Sequence, residues 1–151
     1  MFLRKTPSKI AKKIRERKAD YVLALKDNQP TLQEDVRVYF DWIEKENPKD
    51  EPWEVWKSKW EKCHGRIEKR EIFTASADWL EEKEEWEDIH KIIRCRCTRE
   101  IGGVKTISTR HYISSFDTTA ENFGEIIRGH WSVENQLSSS KNLPEAAKGM
   151  I

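Results

Sequence analysis

Tyr21-Val22-Leu23-Ala24-Leu25 is the segment that most constrains how this 151-residue chain can fold. Five consecutive apolar residues, closed by Asp27-Asn28-Gln29-Pro30, predict a short strand buried on both faces. Such a strand sits inside a sheet covered by helices on each side. Helical patterns do flank it. Ile10, Ala11 and Ile14 form a narrow apolar stripe on an otherwise basic segment, 8–18. Downstream, Leu32, Val36, Tyr39, Phe40 and Ile43 recur at helical spacing behind Thr31 and Glu34, which read as a capping box. This second helix is expected to stop before Pro48, because the residue preceding a proline is pushed out of the α region. The first 46 residues therefore read helix, strand, helix.

From residue 47 the pattern turns to strands. Trp53–Trp60 and Arg66–Thr74 read as a hairpin joined around His64-Gly65, with Trp56, Ser58 and Trp60 on one face. A short acidic helical piece, Trp79–Trp86, follows. A second hairpin, Ile89–Thr98 with Val104–Ser114, turns at Gly102-Gly103. Thr118 and Glu121 form another capping box, opening a helix to about Leu137. The chain thus divides into 1–46, a β-rich 47–117, a helix over 118–137, and a tail over 138–151 that lacks an apolar period and is expected to be poorly ordered. The fold class is α/β (α+β).

Lysine plus arginine total 28 against 27 acidic residues, and that near-balance conceals segregation. Residues 1–20 carry a net charge of +6, residues 78–90 carry −6, and residues 91–110 carry +5. Basic blocks of this kind suit either a solvated surface or a phosphate backbone. No run approaches the ~18 apolar residues of a membrane span, and Met1–Lys18 has no apolar core of a secretory signal. Three cysteines without disulfide spacing suit a reduced, cytoplasmic protein.

The last helix carries the most chemistry. Phe123, Ile127, His130 and Glu134 share one face, so an imidazole and a carboxylate lie on the stripe that should be buried. A buried carboxylate needs a cation or hydrogen bonds. Glu134 either pairs with Arg128 or Lys26, or binds a divalent metal. Cys63-His64 and Cys95-Arg96-Cys97 hold zinc-type ligands without zinc spacing, and alternate cysteines on a strand pack as small hydrophobes. His64-Gly65-Arg66-Ile67-Glu68 is either an ordinary hairpin loop or a phosphate contact made by Arg66 with His64.

Four segments, in order, resemble motifs of the DDE transposases of the H-repeat-associated insertion-sequence family. They are Ala19-Asp20-Tyr21-Val22-Leu23-Ala24-Leu25-Lys26-Asp27-Asn28-Gln29; His64-Gly65-Arg66-Ile67-Glu68; Thr109-Arg110-His111-Tyr112-Ile113-Ser114-Ser115; and Arg128-Gly129-His130-Trp131-Ser132-Val133-Glu134-Asn135. The resemblance spans roughly residues 9–137. It implies a partial ribonuclease-H-like core, interrupted by a β-rich insertion before the last helix. It also implies two divalent ions, Mg²⁺ or Mn²⁺, held between two aspartates and a glutamate. Two metals about 3.5–4 Å apart clamp the attacking and leaving oxygens of an in-line displacement. The implied reaction is phosphodiester hydrolysis and strand transfer at transposon ends. The family's glutamate maps onto Glu134, as catalytic residue and metal ligand. Lys26, Asn28, His64, Arg66, Arg110, Arg128, His130 and Asn135 become candidates for DNA or phosphate contact.

The chain also departs from the family pattern. Neither family aspartate has a counterpart: one lies upstream of Met1, and Phe2 holds the place of the other. After Leu137 the family's aromatic and acidic segment is replaced by Ser138-Ser139-Ser140-Lys141. Both ends read as the edges of a decayed or frame-shifted copy. One carboxylate is not expected to hold two metal ions, so the chain alone is expected to be inactive and, lacking strands, marginally stable. A non-enzymatic DNA-binding remnant and a zinc-bearing β-rich interaction domain are the alternatives. No membrane is implied, and oligomeric state is left open.

Overall fold

The computed structural model describes residues 2–26 and 29–135, with side chains for 9–26, 29–62 and 64–129. The elements run α1 (Phe2–Glu16), β1 (Val22–Ala24), α2 (Pro30–Glu46), β2 (Trp53–Lys57), β3 (Glu61–Cys63), β4 (Arg66–Ser76), β5 (Lys91–Ile101), β6 (Val104–Ser114) and α3 (Ala120–Asn135). A short 3₁₀ turn, Glu81–Glu85, lies between β4 and β5. This is a mixed α/β architecture. The tail over 138–151 lies outside the described residues.

One six-stranded sheet has the order β1-β6-β5-β4-β2, with β3 also paired to β4. Every pairing is antiparallel. The β5–β6 ladder and the shorter β3–β4 ladder turn where the chain can reach left-handed backbone. Gly102 and Gly103 have φ of 55° and 82°, and His64 and Gly65 have 49° and 79°. Positive φ at both central residues is the hairpin turn whose twist matches the strands.

Alternation assigns the sheet two faces. On one, Phe73, Ala75, Ile92, Ile113, Leu23, Tyr21 and Leu25 meet Ala11 of α1 and Leu32, Val36, Phe40 and Ile43 of α2. On the other, Ile72, Ile93, Cys95, Tyr112 and Val22 meet Ala120, Phe123 and Ile127 of α3. The apolar run at 21–25 is thus buried on both faces as its composition predicts. Burying the four α2 residues contributes about 1.5–3 kcal/mol each, which outweighs intrinsic helix propensity.

Local signals shift by a residue or two. The first helix starts at Phe2 and ends at Glu16, where an 8–18 span is expected from its stripe. Pro30 takes the first turn of α2, where a missing N–H costs nothing. Thr31 therefore lies inside the helix, and Gln29 caps without a side-chain bond. The helix ends on Asn47 at φ 47°, ahead of Pro48 as expected. At α3 the cap is Thr119 rather than Thr118: its Oγ1 accepts the Asn122 N–H at 3.2 Å, and Glu54 of β2 accepts the Ala120 N–H at 2.8 Å.

The expected strand 53–60 is broken. Lys57 pairs with Glu71, but Glu61 pairs with Glu68, so the outer chain holds one extra residue. Ser58 bridges the break: its N–H donates to Arg70 O, and its Oγ accepts the Arg70 N–H, both at 2.9 Å. The extra residue is a bulge, and it inverts side-chain parity. Trp56 consequently faces α3, while Trp60 lies on the opposite face beneath the ammonium groups of Lys69 and Lys105.

α2 is also held to the sheet by a buried cation. Arg94 of β5 is 3% exposed. Its Nη1 donates to Glu44 and its Nη2 to Asp41, both at 2.7 Å, and Nη2 also donates to Arg37 O at 3.1 Å. Its Nε donates to His111 Nε2 at 3.0 Å, which requires a neutral imidazole with Nε2 as acceptor. Burial, then the Arg94 charge, pushes the His111 pKa down to about 4 from its ordinary 6.5. Burial alone would raise Asp41 and Glu44, but their arginine partners outweigh it and hold both below the usual range.

The sign follows from linkage. The unfolded chain takes up a proton on His111 near its ordinary pKa, and the folded chain resists until about pH 4. This contribution is present above the unfolded pKa and is lost as pH falls towards the folded one. Denaturant titrations should therefore lose roughly 2 kcal/mol of stability between about pH 7 and about pH 5. His111→Gln should flatten that part of the profile.

Candidate nucleic-acid interface

Four of the nine residues singled out from sequence, Lys26, Arg66, Arg110 and Arg128, lie on or over the sheet face under α3. α3 lies close on β2 and β4. A Cβ on Gly124 would come within 3.1 Å of Trp56 and 3.2 Å of Ile72, so glycine lets the helix approach. Farther along, Arg128 Nη2 meets Glu61 Oε2 of β3 at 2.8 Å. Arg128 and Arg70 help line a groove of about 550 Å³ beside the helix.

Strand parity puts Arg66 and Arg110 on this same face, with Ile72 and Tyr112. They are not neighbours. Arg110 lies opposite Cys95 and Arg66 is at the far end of β4, so about six residues, ~20 Å of strand, separate their rows. Lys26 is exposed just beyond β1. Leu25 N–H donates to His111 O, and continuing that register brings Lys26 level with Arg110. His64 is exposed at the tip of the β3–β4 hairpin. Asn28 and the side chains of His130, Glu134 and Asn135 lie outside the described residues, although the α3 backbone stays helical through Asn135.

Glu68 is the group that sequence reasoning left without a role. It is 3% exposed and faces α3 from β4. Arg70 Nη2 donates to its Oε2 at 2.8 Å. Arg66 Nε contacts its Oε1, and Arg99 Nε lies 3.4 Å from the same oxygen. No aligned hydrogen bond reaches Oε1, so charge proximity rather than directed donation holds those two guanidiniums. The spacing of Glu68 and Arg70 two residues apart on one strand was the available signal; Arg99 comes from another strand.

Among the described residues zinc-type ligands do not converge, and the side chain of Cys63 lies outside them. Cys95 and Cys97 are buried free thiols, and burial raises Cys95 to about 11, which disfavours the thiolate that a metal requires. Among the described residues no three His, Cys, Asp or Glu side chains group as a metal site would require. The described side chains therefore do not fit a two-metal centre, and no step through a metal follows from them.

Four segments distant in sequence nevertheless meet in one sheet and its covering helix, and residues 8–145 match the family model of the transposase DDE domain. The chain belongs to that family. It is 33% identical over 134 residues to YhhI of Escherichia coli K12, named as an H repeat-associated candidate transposase, covering 85% of this chain and 34% of that protein. It is 33% identical over 133 residues to YncI of Escherichia coli O157:H7, also named as a candidate transposase, covering 85% and 33%. An uncharacterized protein from the dhlA 3′ region of Xanthobacter autotrophicus is 36% identical over 107 residues, covering 70% and 35%. The chain spans about a third of the length of these relatives. No solved structure matches it.

In this transposase-family chain the close approach of α3 is the feature most open to disruption. Gly124→Val places two methyl groups where one Cβ is already crowded by Trp56 and Ile72. Overpacking of this kind costs typically about 1–3 kcal/mol. Chemical denaturation should report a loss in that range, with the tryptophan emission of the folded state shifted.

Proposed function

We propose that this chain is the glutamate-bearing part of an insertion-sequence transposase, acting on DNA ends through the face that α3 covers. One observation carries the reading. The four motif segments assemble: the 19–29 segment forms β1, which pairs with β6 of the 109–115 segment through Val22–Ser114 and Ala24–Tyr112. The 64–68 segment opens β4, and the 128–135 segment lies on α3, packed over β4 and β2.

A ribonuclease-H-like core is the larger fold this arrangement suits. β1 is buried on both faces yet has β6 as its one strand neighbour among the described residues. A strand so buried fits a sheet that continues on its other side in the longer relatives. Enzymes of this family generally use divalent metals. Glu134 is the carboxylate this chain would contribute to Mg²⁺ or Mn²⁺, with Lys26, Asn28, His64, Arg66, Arg110, Arg128, His130 and Asn135 as DNA or second-layer contacts. One motif carboxylate cannot fix two such ions, so strand cleavage needs carboxylates beyond the one in this chain. No helix among the described residues is long and apolar enough to cross a membrane. We place the protein in the cytoplasm with the DNA it would bind.

A non-enzymatic DNA-binding remnant is the second reading, favoured by the +6 and +5 blocks at 1–20 and 91–110. Both readings predict duplex DNA binding whose affinity falls steeply with salt, because counterion release drives it. Purified chain should bind the DNA flanking its reading frame without cutting it when Mg²⁺ or Mn²⁺ is added, and Glu134→Ala should leave the affinity unchanged. Absence of binding at low salt would overturn both readings. Metal-dependent cleavage abolished by Glu134→Ala would overturn the claim that this chain is inactive alone.

A further inference from the structure

We infer that Glu68 is a positioning carboxylate that arrays Arg66, Arg70 and Arg99 into a phosphate-binding surface for duplex DNA. The inference rests on the DNA reading above and assigns it a place. A buried carboxylate needs one cation to compensate its charge. Glu68 receives three, and these four groups together carry +2. A purely structural role would need only the aligned Arg70 bond.

Register gives the cluster its shape. Glu68, Arg99 and Thr106 lie side by side across β4, β5 and β6, and the next row on the same face holds Arg70, Cys97 and Ser108. Arg99 thus lies beside Thr106, whereas Arg66 and Arg70 stand across β5 from the β6 hydroxyls, and both Thr106 and Ser108 are exposed. The backbones of Arg66 and Arg70, four residues apart on one strand, stand ~13 Å apart, but their guanidiniums converge on the two oxygens of Glu68, so with Arg99 they form one compact cationic cluster. The face here is open: Ile101 is 57% exposed and Val104 65%, and both lie at its outer end. Arg70 also borders the groove beside α3, so the array runs from the hairpin tip towards the helix that bears Glu134.

Charge and position make opposite predictions for one substitution. Glu68→Gln removes a negative charge. If charge alone mattered, DNA would bind more tightly and with a steeper salt dependence. If Glu68 positions the arginines, DNA should bind about fivefold more weakly, with a shallower slope. Fluorescence anisotropy of a duplex with the full chain, across a salt series, separates the two. Arg66→Ala and Arg99→Ala should each lower the slope by about 1 and the affinity by about tenfold at about 0.1 M salt. Lys45→Ala, on the exposed side of α2, should change neither property as much. Glu68→Asp, which keeps the charge, should recover part of the loss, and thermal melts identify any variant that fails to fold. The arginine variants decide the matter if Glu68→Gln does not fold. Unchanged slopes in both arginine variants, or tighter binding by folded Glu68→Gln, would overturn this inference while leaving the DNA reading intact. Absence of binding by the unsubstituted chain would overturn the DNA reading and this inference with it.

Discussion

Strand β5 is hydrogen-bonded along both edges and, over Ile92–Cys95, covered on both faces, and the molecule is arranged around that fact. A strand in this position has no solvent-facing side, so each of its side chains needs a partner supplied by another element. Ile92 and Ile93 find apolar partners on opposite faces. Arg94 cannot. A guanidinium buried without partners would cost several kcal/mol. α2 supplies two carboxylates and a carbonyl, and β6 supplies a neutral imidazole. The docking of α2 is thereby tied to one register of β5 against β6, because a slip of one residue would turn Arg94 to the α3 side.

The two faces handle charge differently. On the α2 face one buried cation is surrounded by acceptors, and the arrangement is satisfied. On the α3 face one buried carboxylate is surrounded by three guanidiniums. Both centres lie on adjacent central strands, one on each side of the sheet. The α3 face is also where the family motifs collect, and where apolar contact ends as the strands run out towards Ile101 and Val104.

Much of the frame was legible in the sequence. The 21–25 run marked the doubly buried strand, Gly102-Gly103 marked the central hairpin, Pro48 marked the end of α2, and Phe123 with Ile127 marked the face of α3. Each is a local signal whose cause lies within a few residues. What escaped had non-local causes. Arg94 meets its carboxylates across 50 and 53 residues of chain. Arg99 reaches Glu68 from another strand. The caps failed, by two residues at α2 because Pro30 preempts its first turn and by one at α3, where Glu54 from β2 takes over an N–H. The grouping of Trp56, Ser58 and Trp60 failed because alternation was counted straight through a bulge.

That bulge makes the outer hairpin sensitive to counting. Between Lys57 and Glu61 the chain length is read modulo two by everything that follows up to the turn at His64. An odd insertion or deletion there would exchange inside for outside over β3, sending Glu61 away from Arg128 and Lys62 towards it. An even change would leave both where they are. Drift in this stretch should therefore be visible as a parity rule: residue number changes in pairs, while Ser58 and Trp60 keep the contacts that their side chains make.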